Sequence, residues 1–282
     1  NILLSGPPGV GKSMIGKLMP SLMPRLTKEQ IIDLAILQEN NFNSHYKIGS
    51  RPFRAPHHSI SSVALVGGGN PPEPGEITYA HNGILFLDEL AEFSNSTINS
   101  LRQPLEDKIV NISRSNYKVT YPADFQLIAT TNPCPCGYNK VSGFSCNCSD
   151  KQIYNYQAKL NGPILDRIDL HVSMNSIKPI SLIKKYSKIT PKYCSNDMIN
   201  YAFKMQIKRQ GMQNKNIPID KLNRYCNFSA KTDKFLFDIM CKIKISPRSY
   251  YKILKVARTI ADIDESNDVR KEHLEEALTF RM

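Results

Sequence analysis

Gly6-Pro7-Pro8-Gly9-Val10-Gly11-Lys12-Ser13 fits the pattern G-x-x-x-x-G-K-[ST]. It lies between an apolar strand, Ile2-Leu3-Leu4, and a helix that opens at Lys12. Glycines let the backbone N–H groups of such a loop wrap a phosphate, and the N-terminus of the following helix favours the anion. Lys12 would reach the β- and γ-phosphate oxygens, and the Ser13 hydroxyl would ligate Mg²⁺. Residues Gly6, Pro7, Pro8, Gly9, Val10, Gly11, Lys12 and Ser13 therefore predict ATP and Mg²⁺ as ligands. Asp88 and Glu89 follow the four-residue apolar run Ile84-Leu85-Phe86-Leu87, a pattern expected of a buried parallel strand. Alone, such a pair reads as a loop solvating itself or a helix cap. After a phosphate loop, Asp88 becomes the expected Mg²⁺ holder, largely through water, and Glu89 the residue that orients and polarises the attacking water. Asn132 ends the strand Phe125–Ala129 and its Thr130-Thr131 extension. It is placed to help Glu89 hold that water; otherwise it is a turn asparagine before Pro133.

Two arginines are candidates for phosphate contact. Arg167 follows Leu165-Asp166 and precedes a short strand, where it could reach a neighbouring subunit's γ-phosphate; the alternative is an ion pair with Asp166 or Asp169. Arg248 opens a helix after Ser246-Pro247 and could bind phosphate or simply face solvent. Cys134-x-Cys136 and Cys146-x-Cys148 place four thiols in two close pairs, able to ligate Zn²⁺ tetrahedrally and staple a loop of little apolar content. The spacing is tighter than the usual C-x₂-C, so a redox pair or four unligated thiols stay open. A catalytic zinc does not fit, since four sulfurs leave no open position. His57-His58 reads as packed, or bonded to a loop carbonyl, rather than as a metal pair.

These residues need a scaffold of alternating strands and helices. Pro20 and Pro24 end the helix begun at Lys12; 29–38 reads as a helix, and 48–76 as a long Gly-, Pro-, His- and Ser-rich segment. Ser96–Glu106 and 150–160 read as helices and Ile168–Val172 as a strand. Val110-Asn111-Ile112 and Lys118-Val119-Thr120 flank a polar turn and predict a hairpin. After Pro179 the pattern turns helical, near 179–188, 195–210, 219–226, 230–244, 247–263 and 269–281. Ser246 as N-cap and Pro247 at the first helical position mark one start. The expected organisation is an α/β P-loop domain over 1–175, with a parallel sheet flanked by helices, then an all-α domain over 176–282.

The 282 residues are 41% apolar and 22% charged, an ordinary globular composition. No apolar run approaches the ~18 residues needed to cross a bilayer, and no signal peptide opens the chain. Seven cysteines without a secretion signal fit a reducing cytoplasm; Cys194, Cys226 and Cys241 read as small buried residues. Asn1 is not methionine and the first strand starts at once, so the chain reads as a fragment lacking an upstream domain. The net charge of +12 falls mostly on residues 176–282, which hold 22 Lys/Arg against 11 Asp/Glu. That suits either attraction of a polyanion or lysine-rich solvated helix faces.

Further stretches carry a specific likeness. Arg51-Pro52-Phe53-Arg54-Ala55-Pro56-His57-His58-Ser59, Ala64-Leu65-Val66-Gly67-Gly68-Gly69, Pro74-Gly75-Glu76, Ala80-His81 and Leu101-Arg102-Gln103-Pro104-Leu105-Glu106 are joined by two more. These are Asn132-Pro133-Cys134-Pro135-Cys136-Gly137 and Gly162-Pro163-Ile164-Leu165-Asp166-Arg167-Ile168-Asp169-Leu170. Together they resemble the ComM/YifB family of bacterial AAA+ proteins, relatives of the magnesium-chelatase ATPase subunit. Ser246–Tyr250 and Arg258–Asp262 extend the likeness to the family's helical domain. The resemblance implies an AAA+ P-loop domain followed by a helical lid, assembled as a homo-hexameric ring with ATP sites between subunits. It implies Arg167 as a finger across the interface and Arg248 as a second sensor. It also implies that 60–78 form a helix-2 insert and 109–121 a pre-sensor hairpin, both at the pore, where Arg114 and Lys118 could track a phosphate backbone. Family members carry an upstream domain resembling the accessory domain of Lon proteases, and are associated with DNA branch migration during integration of transforming DNA. The expected function is a cytoplasmic ATP-driven motor on branched or single-stranded DNA. A protein-remodelling motor of the magnesium-chelatase kind, or a nucleotide-binding module without turnover, are the rivals.

Overall fold

A computed structural model describes residues 1–39, 49–114, 117–160, 162–176, 196–228, 232, 234–238 and 246–281. Two compact units emerge: Asn1–Ile168 with Val172–Lys184, and Asp169–His171 with Lys185–Met282. In chain order the first begins with β1 (Ile2–Ser5), α1 (Lys12–Leu18), α2 (Lys28–Glu39), β2 (Phe53–Arg54) and α3 (Ser62–Val66). A ribbon of β3 (Gly67–Gly68) and β4 (Glu73–Pro74), then α4 (Glu76–Tyr79), β5 (Ile84–Leu87), α5 (Asn95–Ser100) and α6 (Arg102–Asp107) follow. The hairpin β6 (Ile109–Arg114) and β7 (Tyr117–Pro122) leads to β8 (Gln126–Thr131), α7 (Asp150–Ala158) and β9 (Leu170–Ser173).

The main sheet runs β2-β5-β8-β1-β9, with β2 and β5, β5 and β8, and β8 and β1 paired in parallel. β5 explains why helices cover both faces. Its side chains alternate, and all four residues are buried. Leu85 and Leu87 enter the large core with Leu3, Leu127 and Ala129, while Ile84 and Phe86 pack with Ile128, Met19 and Met23. A strand buried on both faces reads as a continuous apolar run. Gly16 lets α1 lie on this second face: a β-carbon there would stand 2.2 Å from the Phe86 ring.

Two local differences from the sequence reading have physical causes. The single helix expected over Ser96–Glu106 is two, because Pro104 has no N–H to give the Ser100 carbonyl and the chain tightens at Leu101, whose N–H bonds Ile98 O at 3.3 Å. Within the Gly-, Pro-, His- and Ser-rich segment 48–76, Phe53 and Arg54 form β2, aligned with Ile84 and Leu85; two residues are too few for an alternation signal.

The second unit contains α8 (Asn196–Gln210), α9 (Ile219–Cys226), α10 (Pro247–Ile263) and α11 (Lys271–Thr279). Ser246 caps α10 by accepting from Ser249 N at 3.2 Å, with Pro247 at the first position. Its core holds Leu222, Cys226, Leu254, Ala257, Ala261 and Leu274. Arg258, fully buried, bonds Asp262 through Nε at 3.1 Å and Nη2 at 2.9 Å, and donates to the carbonyl of Asn267. Arg209 and Asn214 complete the shell around Asp262, at 3.0 and 2.8 Å from Oδ2. The helix expected at 179–188, much of that at 230–244, and Cys194 and Cys241 lie outside the described residues. Among the described residues no helix is long and apolar enough to cross a membrane.

Candidate functional site

The loop after β1 owes its shape to glycine. Gly9 and Gly11 sit at φ +79° and +89°, the left-handed region that L side chains resist. Gly11 is the N-cap of α1 and no side chain caps the helix, so its first N–H groups take no partner from a capping side chain. Gly6 approaches another backbone, since a β-carbon there would meet the Met174 carbonyl at 2.4 Å.

Lys12 is 8% exposed and its ammonium has three acceptors for its three protons: Gly6 O at 2.5 Å, Pro7 O at 2.8 Å and Asn132 Oδ1 at 2.9 Å. Burial pushes its pKa below the usual lysine value, while the charges of Asp88 and Glu89 pull it back up. Ser13 Oγ donates to Asp88 at 2.8 and 3.0 Å. The residues of the loop, the end of β5 and the tip of β8 thus meet at one place, as parallel registry of β1, β8 and β5 requires.

Thr130, which sequence reasoning did not single out, ties this cluster together. Its hydroxyl donates to Asp88 Oδ1 at 2.6 Å and accepts from Glu89 N at 2.8 Å. Glu89 is exposed and its backbone is left-handed, φ +54° and ψ +55°. Non-glycine residues in that region are uncommon and concentrate at functional sites. A hydroxyl at the end of a strand neighbouring the carboxylate strand was the available signal for Thr130. Behind it, Tyr156 is 6% exposed, and burial, then the Glu92 charge, push its phenol up to about 12. A cavity of about 800 Å³ opens beside the loop, walled by Gly6, Pro7, Asn132, Tyr156 and the loop residues Asn139 and Ser142.

Other expected residues fall elsewhere. Arg167 pairs with Glu106, not with Asp166 or Asp169, and donates to Arg102 O at 3.1 Å and Pro163 O at 2.6 Å. The guanidinium is thereby fixed away from the Lys12 cluster. Arg248 is exposed at the second position of α10, in the other unit. His57 bonds Ser59 Oγ at 2.9 Å, its ring 4.0 Å from that of His58, which meets Phe93 edge-on. The 60–78 segment and the β6–β7 hairpin touch: Tyr121 Oη donates to Pro72 O at 2.9 Å, and Ile112 packs into the core with Leu65. Arg114 and Lys118 are exposed near the hairpin's tip.

The four loop cysteines converge. Cys134 and Cys136 sulfurs are 3.3 Å apart, Cys136 and Cys146 3.5 Å, and Cys134 and Cys146 3.7 Å; all four lie within 4.8 Å of one another. Hydrogen bonds from the backbone of Tyr138, then Asn147, hold the Cys136 thiol down at about 6. Cys226 is buried, as expected.

Parallel strands that bring a phosphate loop and a carboxylate pair to one end, followed by a helical region, make this a P-loop domain of the AAA+ class with a helical domain after it. Residues 1–182 match the family model described as magnesium chelatase, subunit ChlI, and residues 195–281 match that of the subunit's C-terminal part. The chain belongs to the magnesium chelatase ChlI-subunit family. It is similar to the protein YifB of Escherichia coli, 40% identical over 283 residues, covering 100% of this chain and 56% of that protein. Likewise it is 40% identical over 284 residues to the competence protein ComM of Haemophilus influenzae, covering 100% of this chain and 55% of that protein. Over 158 residues it is 26% identical to Lon protease 2 of Bacillus subtilis, covering 48% of this chain and 28% of that protein. The chain thus spans little more than half the length of the first two relatives.

Proposed function

We propose that this chain is the ATP-hydrolysing motor part of a cytoplasmic ring, a homo-hexamer, that moves DNA, with the motor in residues 1–175 and a helical lid in 176–282. One observation carries the reading: Lys12 and Asn132 share a hydrogen bond at the same corner where Ser13 meets Asp88. A loop amine, a hydroxyl, a carboxylate and an amide so gathered suit a triphosphate and its cation. Ser13 and Asp88 would hold Mg²⁺, and the fit is chemical: two oxygen ligands of the type this hard cation takes already face each other across 2.8 Å. When bound, the ion would neutralise charge on the phosphate oxygens. Lys12 would bind the β- and γ-phosphates through the ammonium that now serves Gly6, Pro7 and Asn132. The exposed carboxylate of Glu89, aimed by its left-handed backbone and by Thr130, would accept a proton from the attacking water, with Asn132 orienting it.

Arg167 acts in this reading on a neighbouring subunit, released from Glu106 when the ring forms, and Arg248 is a second phosphate contact. Exposed apolar side chains on α1 and α2 (Met14, Leu18, Ile32, Ile36) support self-association. DNA as substrate draws on the +11 charge of residues 176–282, on exposed Arg114 and Lys118, and on a relative that carries the name competence protein. The test is steady-state ATP turnover without DNA, with single strands and with a four-way junction, at low and moderate salt. Stimulation by the junction that fades steeply with salt supports branch migration. A good basal rate indifferent to every DNA replaces the substrate with a protein partner, and binding without turnover at any concentration leaves a nucleotide-binding module.

A further inference from the structure

The loop between β8 and α7 has almost no apolar interior, yet it folds back so that its four cysteines meet. Of residues 133–149 only Cys134 and Gly137 are buried, and no helix or strand lies among them. Its backbone bonds are isolated turns: Gly137 N to Cys134 O at 3.0 Å, Val141 N to Tyr138 O at 3.2 Å, and Phe144 N to Val141 O at 3.3 Å. A stacked pair, Tyr138 and Phe144, adds one ring contact at 4.8 Å. So few buried contacts and turn bonds do not offset the conformational entropy lost on ordering such a segment.

What gathers it is sulfur. A disulfide joins sulfurs in pairs at about 2.05 Å. Here three sulfurs stand at mutual distances of 3.3, 3.5 and 3.7 Å, with the fourth inside the same 4.8 Å cluster. Thiolates bound at about 2.3 Å to one tetrahedral centre stand about 3.8 Å apart, so the cluster is close to the spacing a single ion imposes. Asn139 N donates to Cys134 Sγ at 3.3 Å, the kind of backbone support that orients a thiolate ligand.

The same loop touches the phosphate loop. Gly137 is left-handed at φ +85°, and a β-carbon on it would stand 2.5 Å from Cδ of Pro8. Asn139 and Ser142 wall the cavity that also borders Gly6, Pro7 and Asn132. We infer that Cys134, Cys136, Cys146 and Cys148 bind one structural Zn²⁺, and that the ion seats Gly137 against Pro8, so that nucleotide affinity depends on the metal. The coupling rests on the ATP-site reading above; the metal site does not.

Metal content is measured first, on the intact chain purified under reducing conditions. The expected result is one zinc per chain, lost in Cys146→Ser, and, on cobalt replacement, the charge-transfer and d–d bands of a tetrahedral all-thiolate site. Cobalt needs no variant, so a misfolded serine mutant does not blunt the test. No zinc and no thiolate–cobalt bands overturn the site and leave four unligated or redox-active thiols. The coupling is read with a fluorescent ATP analogue. Stripping the zinc with a chelator should weaken binding about tenfold, a typical coupling between linked sites. Gly137→Ala should keep the zinc and weaken the analogue similarly, while Lys12→Ala should keep the zinc and lose the analogue. Unchanged affinity in both the stripped chain and Gly137→Ala refutes the coupling. A zinc-loaded wild type that binds no analogue refutes the ATP-site reading and the coupling with it, and leaves the metal assignment standing.

Discussion

Lys12 Nζ donates to Asn132 Oδ1 across 2.9 Å, joining the first helix of the phosphate loop to the tip of β8, 120 residues further along the chain. The amide and the ammonium therefore answer to each other. A phosphate that draws Lys12 away releases the Asn132 oxygen, and this is how the end of β8 would register an occupied site.

The two residues should separate under mutation. Lys12→Ala removes the cation and is expected to abolish ATP binding. Asn132→Ala leaves the cation in place, so binding should persist while turnover falls about a hundredfold, the usual loss for one positioned polar group. Equilibrium binding and initial rates on both variants check this; equal loss of binding in both would merge their roles.

Arg167 tests whether the site is shared between subunits. Arg167→Ala should bind nucleotide normally and hydrolyse it about a thousandfold more slowly, as expected when a finger is removed. Mixed with Lys12→Ala, whose own site is empty but whose Arg167 is intact, the pair should recover part of the wild-type rate. Mixtures no faster than the separate variants would confine Arg167 to its bonds with Glu106, Arg102 and Pro163 within one subunit.

In the second unit Asp262 carries the charges of two arginines. Asp262→Ala leaves Arg258 buried without its carboxylate, and unfolding of that unit should be easier by about 3–5 kcal/mol. Denaturant titration followed on a probe in the helical region measures it. A loss below about 1 kcal/mol would mean the arginines find water instead.

Cys226 supplies a pH test. Burial pushes its thiol up to about 12 from an ordinary value of 9.0. The fold thus favours the protonated form, and the contribution to stability is complete below the unfolded pKa. As pH rises past it, the unfolded chain gains a thiolate that the folded chain refuses, and stability declines toward about 12. The measurements are denaturant midpoints across that range and alkylation of the Cys226 peptide, which should be slow until the unit unfolds.

Much of this was legible in the sequence because it rests on local pattern. The glycines of 6–11, the four apolar residues before Asp88, and Ser246-Pro247 ahead of a helix each signal through neighbours, and α10 spans the expected 247–263. What escaped depends on residues far apart in the chain. Thr130 bridging Asp88 and Glu89, Glu106 holding Arg167, and Gly137 resting on Pro8 are all consequences of strand registry and loop packing. No periodicity records them. β2 escaped for another reason: it is two residues long, and its place at the sheet edge comes from β5 beside it.

The most direct measurement is the ATP hydrolysis rate of the chain and of Glu89→Gln over a range of protein concentrations. The specific rate should climb as subunits associate, and Glu89→Gln should still bind ATP but turn it over about 10²–10⁴-fold more slowly. A Glu89→Gln rate equal to that of the unaltered chain would show that the chemistry is not done here.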